Sequence, residues 1–82
     1  MPRYVVESYT TGSAVEEACR RARLAAEQDA GVRYVRTTFL REEEMVLHVF
    51  EAPSAATLED AGRRAALQFE RIVEAIEASA EG

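Results

Sequence analysis

The spacing of hydrophobic positions changes repeatedly along this chain, and each change predicts an element. Residues 3–9, Arg-Tyr-Val-Val-Glu-Ser-Tyr, are rich in β-branched and aromatic types and are closed by Thr11-Gly12, which predicts a strand and a turn. From Ser13 the period becomes helical: Val15, Ala18, Cys19, Ala22, Ala25 and Ala26 recur at steps of three and four. Ser13 with Glu16 three residues on has the form of a capping box, and Gly31 is the expected helix stop. Glu16 and Glu17 precede Arg20 and Arg21 by four residues, pairs that strengthen the outer face of this helix. Two strand-like runs follow, Arg33 to Leu40 and Glu44 to Glu51, separated by Arg41-Glu42-Glu43, a spacer that leaves room only for a hairpin with a solvated acidic tip. Pro53 breaks the second run and Ser54 is placed to cap another helix. There Leu58, Ala61, Gly62 and Ala65 repeat, Glu59-Arg63 and Asp60-Arg64 pair outside, and Gly62 is expected to let the helix approach the sheet. A final strand is predicted over Arg71–Ile76.

The order βαββαβ predicts an α+β, ferredoxin-like domain: a four-stranded antiparallel sheet in the order 4-1-3-2 with both helices on one face. One domain is expected over residues 1–77, with 78–82 as a fraying tail. Strand alternation assigns the two faces of the sheet. Val35, Thr37 and Phe39 form the more apolar side of their strand and are expected to face the helices, leaving Tyr34, Arg36 and Thr38 outside. Matching across the hairpin then turns Leu47 and Val49 inward. Val46, His48 and Phe50 are placed on the open face beside Val5, Glu7 and Tyr9, with Val6 inward. An open face of this mixed composition suits a subunit interface or a ligand.

Composition adds a reason for the interface. Of 82 residues 39 are apolar, but 15 of those are alanine, so few side chains can anchor a core. A domain this small buries only about 60% of its unfolded surface alone, and a homodimer is the expected supplement. Charge narrows the partners. With 15 acidic and 10 basic residues, every cation an arginine and most of them matched by glutamate, nucleic acid is not expected. No membrane span or signal segment is expected either. The single cysteine, Cys19, allows no internal disulfide, lies on the apolar helix stripe as an inert buried thiol, and fits the cytoplasm.

His48 is the lone histidine, and the expected sheet order brings Glu7 and Arg36 or Thr38 beside it. An imidazole and a carboxylate on adjacent strands form half of a transition-metal site, to be completed by a second subunit across the open face. Arg36 paired with Glu7 would instead make a plain interface. A third reading is a pocket for a small anionic organic ligand, with Arg36 as its charge partner and Tyr9, Tyr34 and Phe50 as walls. The protein is read first as a binding protein. An enzyme on the same pocket, with His48 transferring protons and Glu7 orienting its ring, is the alternative.

The opening Pro2-Arg3-Tyr4-Val5-Val6-Glu7, the helix closed by Gly31, Val32-Arg33-Tyr34-Val35, and Glu51-Ala52-Pro53-Ser54 followed by Arg63-Arg64 and Arg71-Ile72 together resemble the DUF4242 family over nearly the whole chain. That resemblance implies a small ferredoxin-like homodimer, in some members nickel-binding with the metal on the sheet side. It carries Glu7 and His48 over as metal-binding residues and makes nickel the implied ion. The chain departs from the family pattern at Arg36 and Ala61, where many members have histidine, and at His48, where many have cysteine. If those positions hold the metal, two ligands are lost here and one is exchanged for another.

Overall fold

The computed structural model describes residues 1–76, so the expected domain end at 77 and the tail 78–82 lie outside the described residues. The elements are β1 (Arg3–Tyr9), a 3-10 turn (Gly12–Ala14), α1 (Val15–Glu27), β2 (Arg33–Leu40), β3 (Met45–Glu51), α2 (Ala55–Arg64) and β4 (Arg71–Ala75). The strands form one antiparallel sheet in the order β2-β3-β1-β4, the expected arrangement counted from the other edge. Helix α1 packs on β2, β3 and α2, while α2 packs on β4. Between the layers lies a core built on Tyr4, Val6, Phe50 and Leu58, with alanines Ala22, Ala25, Ala61 and Ala65 supplying the helix side. Alanine on both helices lets them sit close to the sheet, which is how a chain poor in large apolar residues still closes a core.

The two helices begin differently. Ser54 caps α2 as expected: its backbone is extended and its Oγ accepts the Thr57 amide at 3.1 Å. Ser13 does not cap α1. The 3-10 turn delays the helix to Val15, Ala14 occupies the cap position without a side-chain bond, and Ser13 Oγ pairs with Thr11 Oγ1 at 3.1 Å. The capping box with Glu16 is therefore not formed. Arg20 bonds Glu17 instead of Glu16, and Glu17 also holds Arg21. The expected pairs on α2, Glu59-Arg63 and Asp60-Arg64, are both present.

The helix ends also differ from expectation. Helix α1 ends at Glu27, and Gly31 sits beyond it in a turn where its amide donates to Asp29 Oδ1 at 2.8 Å. Space there is tight: a Cβ would stand 3.0 Å from Pro53 Cγ, which would have to give by a few tenths of an ångström. Helix α2 closes in a Schellman motif: the Ala66 amide donates to Arg63 O at 3.0 Å and the Leu67 amide to Gly62 O at 2.8 Å. Ala66, at φ 56, occupies the left-handed position that usually falls to glycine. Gly62 packs under this turn, with a Cβ there 3.5 Å from Phe69 and 3.8 Å from Leu67; its neighbours belong to the α2–β4 connection and not to the sheet.

The face assignment of β3 is the reverse of the expected one. The hairpin loop has four residues, Arg41 to Glu44, with Glu44 left-handed at φ 52, so Leu40 pairs with Met45. A three-residue loop would have paired Leu40 with Glu44. Because side chains alternate, that single residue turns the whole strand over. Val46, His48 and Phe50 are buried under the helices, and Leu47 and Val49 face outward. A bulge between Tyr34 and Arg36 adds a second change. It sets Tyr34 opposite Phe50 on the helix side, while Arg36, Thr38 and Leu40 keep the open face. Strand β1 follows expectation, with Val6 inward and Val5, Glu7 and Tyr9 outward.

Candidate functional site

The open face can be read off the strand register row by row. Across its middle, Arg36, Val49, Val5 and Val73 lie side by side, and the next row holds Thr38, Leu47, Glu7 and Arg71. The row after that is Leu40, Met45 and Tyr9, while the opposite end carries Arg33, Glu51, Arg3 and Ala75. Apolar side chains thus occupy the centre and one end. Most of the charges around them are paired: Arg3 Nε lies 3.1 Å and Arg33 Nε 3.4 Å from the Glu51 carboxylate, and Arg71 Nε lies 3.0 Å from Glu7 Oε1, while Arg36, exposed on the edge strand β2, has no ion pair among the described residues. Glu7 is occupied by Arg71, a neighbour on β4, and not by Arg36.

His48 lies on the other side of the sheet. It stands opposite Val6 and Thr37, fully buried, whereas Glu7 stands opposite Leu47 on the open face. The expected meeting of Glu7 and His48 on one face does not occur, so the two cannot share an ion within one chain. Among the described residues no group of three or more His, Cys, Asp or Glu side chains is placed to hold a metal. The pocket expected from Arg36, Tyr9, Tyr34 and Phe50 is likewise divided. Phe50 is in the core with Tyr34 edge-on to it at 5.5 Å, while Arg36 and Tyr9 are exposed on the open side. Sealed from solvent and turned away from Glu7, His48 is not positioned to pass protons to a ligand on that face.

What His48 does have is a short polar chain that the sequence reading missed. Its Nδ1 is 2.6 Å from Thr37 Oγ1, which is 2.6 Å from the Tyr34 hydroxyl. The bulge assembles this chain by bringing Tyr34 to the same side as Thr37, and nothing in the residue types marks a bulge at Val35. The second ring nitrogen, Nε2, is buried with no hydrogen-bond partner among the described residues. Burial pushes the imidazole down from 6.5 to about 4, so it is neutral at physiological pH. A buried bare lone pair is better tolerated than a buried unpaired N–H. This favours Nδ1–H donating to Thr37, Thr37 donating to Tyr34, and Nε2 left as an acceptor. Cys19 is half-buried on α1, less enclosed than its place on the apolar stripe suggests.

No family model matches the sequence, and no curated protein matches it. Among solved structures, the crystal structure of SCO4226 from Streptomyces coelicolor A3(2) is similar in fold, with a TM-score of 0.74 and 18% identity over 94% of this chain and 99% of that one. The likeness therefore extends over the whole ferredoxin-like domain. Among the described residues no helix is long and apolar enough to cross a membrane.

Proposed function

We propose that this protein is a small homodimeric binding protein whose subunits pair through the open sheet face. The observation that carries the reading is the composition of that face: Val5, Leu47, Val49 and Val73 at its centre, with Leu40, Met45 and Tyr9 at one end. Ion pairs at Glu7 and Glu51 frame this patch, and the one unpaired cation among the described residues of the face, Arg36, stands on the edge strand β2, where its long side chain can reach solvent at the rim of an interface. Sheets pack face to face about 10 Å apart, which side chains of this size fill. Sedimentation at micromolar concentration tests the pairing. A mass twice the 9.1 kDa of the chain is expected, and a stable monomer would refute it. The lone thiol suits a reducing compartment, and we place the protein in the cytoplasm.

A second reading, a divalent transition metal with nickel first, keeps one supporting observation. His48 is neutral, its Nδ1 is oriented by Thr37, and its Nε2 lone pair is free, which is the state a metal-bound imidazole requires. Glu7 does not enter this version, because it faces the other way. Calorimetric titration of nickel into the parent and into His48→Ala separates the outcomes. A saturable heat lost in the variant supports the metal; equal weak heats dismiss it.

A further inference from the structure

We propose that a cleft between α1 and the α2–β4 connection binds a compact organic carboxylate. This site lies at the C-terminal end of β1, encloses about 410 Å³, and does not depend on the dimer reading. Its size falls within the range of small-molecule sites.

Its floor is Ser8. The inward positions of β1 are Tyr4, Val6 and Ser8, so a hydroxyl follows two large apolar side chains toward the core. Ser8 is only 5% exposed, and among the described residues its hydroxyl makes one hydrogen bond, a 3.4 Å contact with the carbonyl of its own neighbour Tyr9. That distance is at the outer limit of hydrogen bonding. A buried hydroxyl this poorly satisfied, bordering an open volume, calls for an acceptor from outside the chain. The walls are Ala14 of the 3-10 turn, Ala18 of α1 and Leu67 of the α2–β4 connection. Alanine at these two helical positions leaves unfilled the space that a leucine would occupy.

Arg21 stands in the lining with Glu17. Its Nε donates to Glu17 at 2.9 Å, but its Nη1 reaches the Ala65 and Ala66 carbonyls only at 3.4 Å, leaving good donor capacity. Within the lining Arg21 and Glu17 balance, and one surplus positive charge comes from Arg20, which shares the Glu17 carboxylate from just outside the lining. Thr10 and Gln68 complete the polar part of the lining, and the Gln68 amide has no hydrogen-bond partner among the described residues. A monocarboxylate matches each of these features. Its charge meets the surplus, its oxygens accept from the guanidinium and the Ser8 hydroxyl, and its apolar body lies on Ala14, Ala18 and Leu67. A phosphate carries more charge than the surplus and has no apolar body to cover the alanines.

Titrating sodium benzoate into isotopically labelled protein, followed by backbone amide shifts, tests this site, with neutral benzamide as the matched control. Benzoate is expected to give saturable shifts at Ser8–Thr10, Ala14–Arg21 and Ala66–Gln68, with benzamide weaker by about tenfold or more. Arg21→Gln is expected to weaken benzoate by a similar factor. Ala18→Leu fills the cleft and is expected to abolish the shifts while the thermal melt shows a folded protein. Absence of saturable shifts at millimolar benzoate, equal affinity for benzamide, or unchanged binding in folded Ala18→Leu each overturns the proposal.

Discussion

His48 shows how one buried side chain ties packing to pH. The unfolded chain takes up a proton near the ordinary value of 6.5, the folded chain only near 4, because desolvation penalises the charged ring. Between those values the unfolded state binds more protons. The contribution is therefore fully present above pH 6.5, shrinks as pH falls through the window, and is gone below 4, a loss of about 3 kcal/mol at about 1.4 kcal/mol per unit. Denaturant melts of the parent and of His48→Gln, near neutrality and at about pH 4.5, read this directly. The carboxylates titrate in both proteins and cancel in the difference, so the parent is expected to lose more stability than the variant; parallel losses would remove the effect from His48. Ala66 offers a second residue-scale test. A left-handed alanine is strained, and Ala66→Gly is expected to raise the unfolding free energy by about 1 kcal/mol. No gain in a urea melt would mean that the turn relaxes without cost.

At the scale of elements, what the sequence made legible and what it hid divide by mechanism. Strand and helix positions were readable because period and punctuation agree: Pro53-Ser54 before α2 and the β-branched runs of β1 and β4 leave little alternative. The faces of β3 were not readable. Both of its alternating sets are largely apolar, Val46 and Phe50 on one side and Leu47 and Val49 on the other, so hydrophobicity did not fix the register. The hairpin loop fixed it, and loop length turned on Glu44 adopting a left-handed conformation that glutamate rarely takes. The candidate site inherited that slip: with β3 turned over, Glu7 and His48 separated and the Tyr34-Thr37-His48 chain formed instead. The helix caps supply the element-scale prediction. Ser54→Ala is expected to lower stability by about 1 kcal/mol, because its Oγ satisfies the Thr57 amide. Ser13→Ala is expected to change it by less than about 0.5 kcal/mol, since Ser13 touches only an exposed threonine hydroxyl. Thermal or urea melts of the two variants side by side check the contrast, and equal losses would restore Ser13 as a cap.

At the scale of the whole molecule the chain is a thin slab, 36 × 32 × 17 Å, with helices covering one broad side of the sheet and, among the described residues, none covering the other. Large apolar side chains are few, yet several are on the uncovered side, where Val5, Leu47 and Val49 remain only half-buried in the single chain. Covering that side with a second copy would gain the burial that so small a domain lacks. It also explains why Glu7 and Glu51 are paired within the chain, each held by arginine beside the patch. The decisive measurement is sedimentation equilibrium of Val49→Asp beside the parent and a helix-face control, Arg23→Asp. Burying an unpaired carboxylate between two sheets is expected to cost about 3 kcal/mol or more, raising the dimer dissociation constant more than about a hundredfold. The account predicts that Val49→Asp sediments as a 9.1 kDa monomer while the parent and Arg23→Asp remain dimeric. A Val49→Asp protein that stays dimeric, or a parent that is itself monomeric, would contradict it.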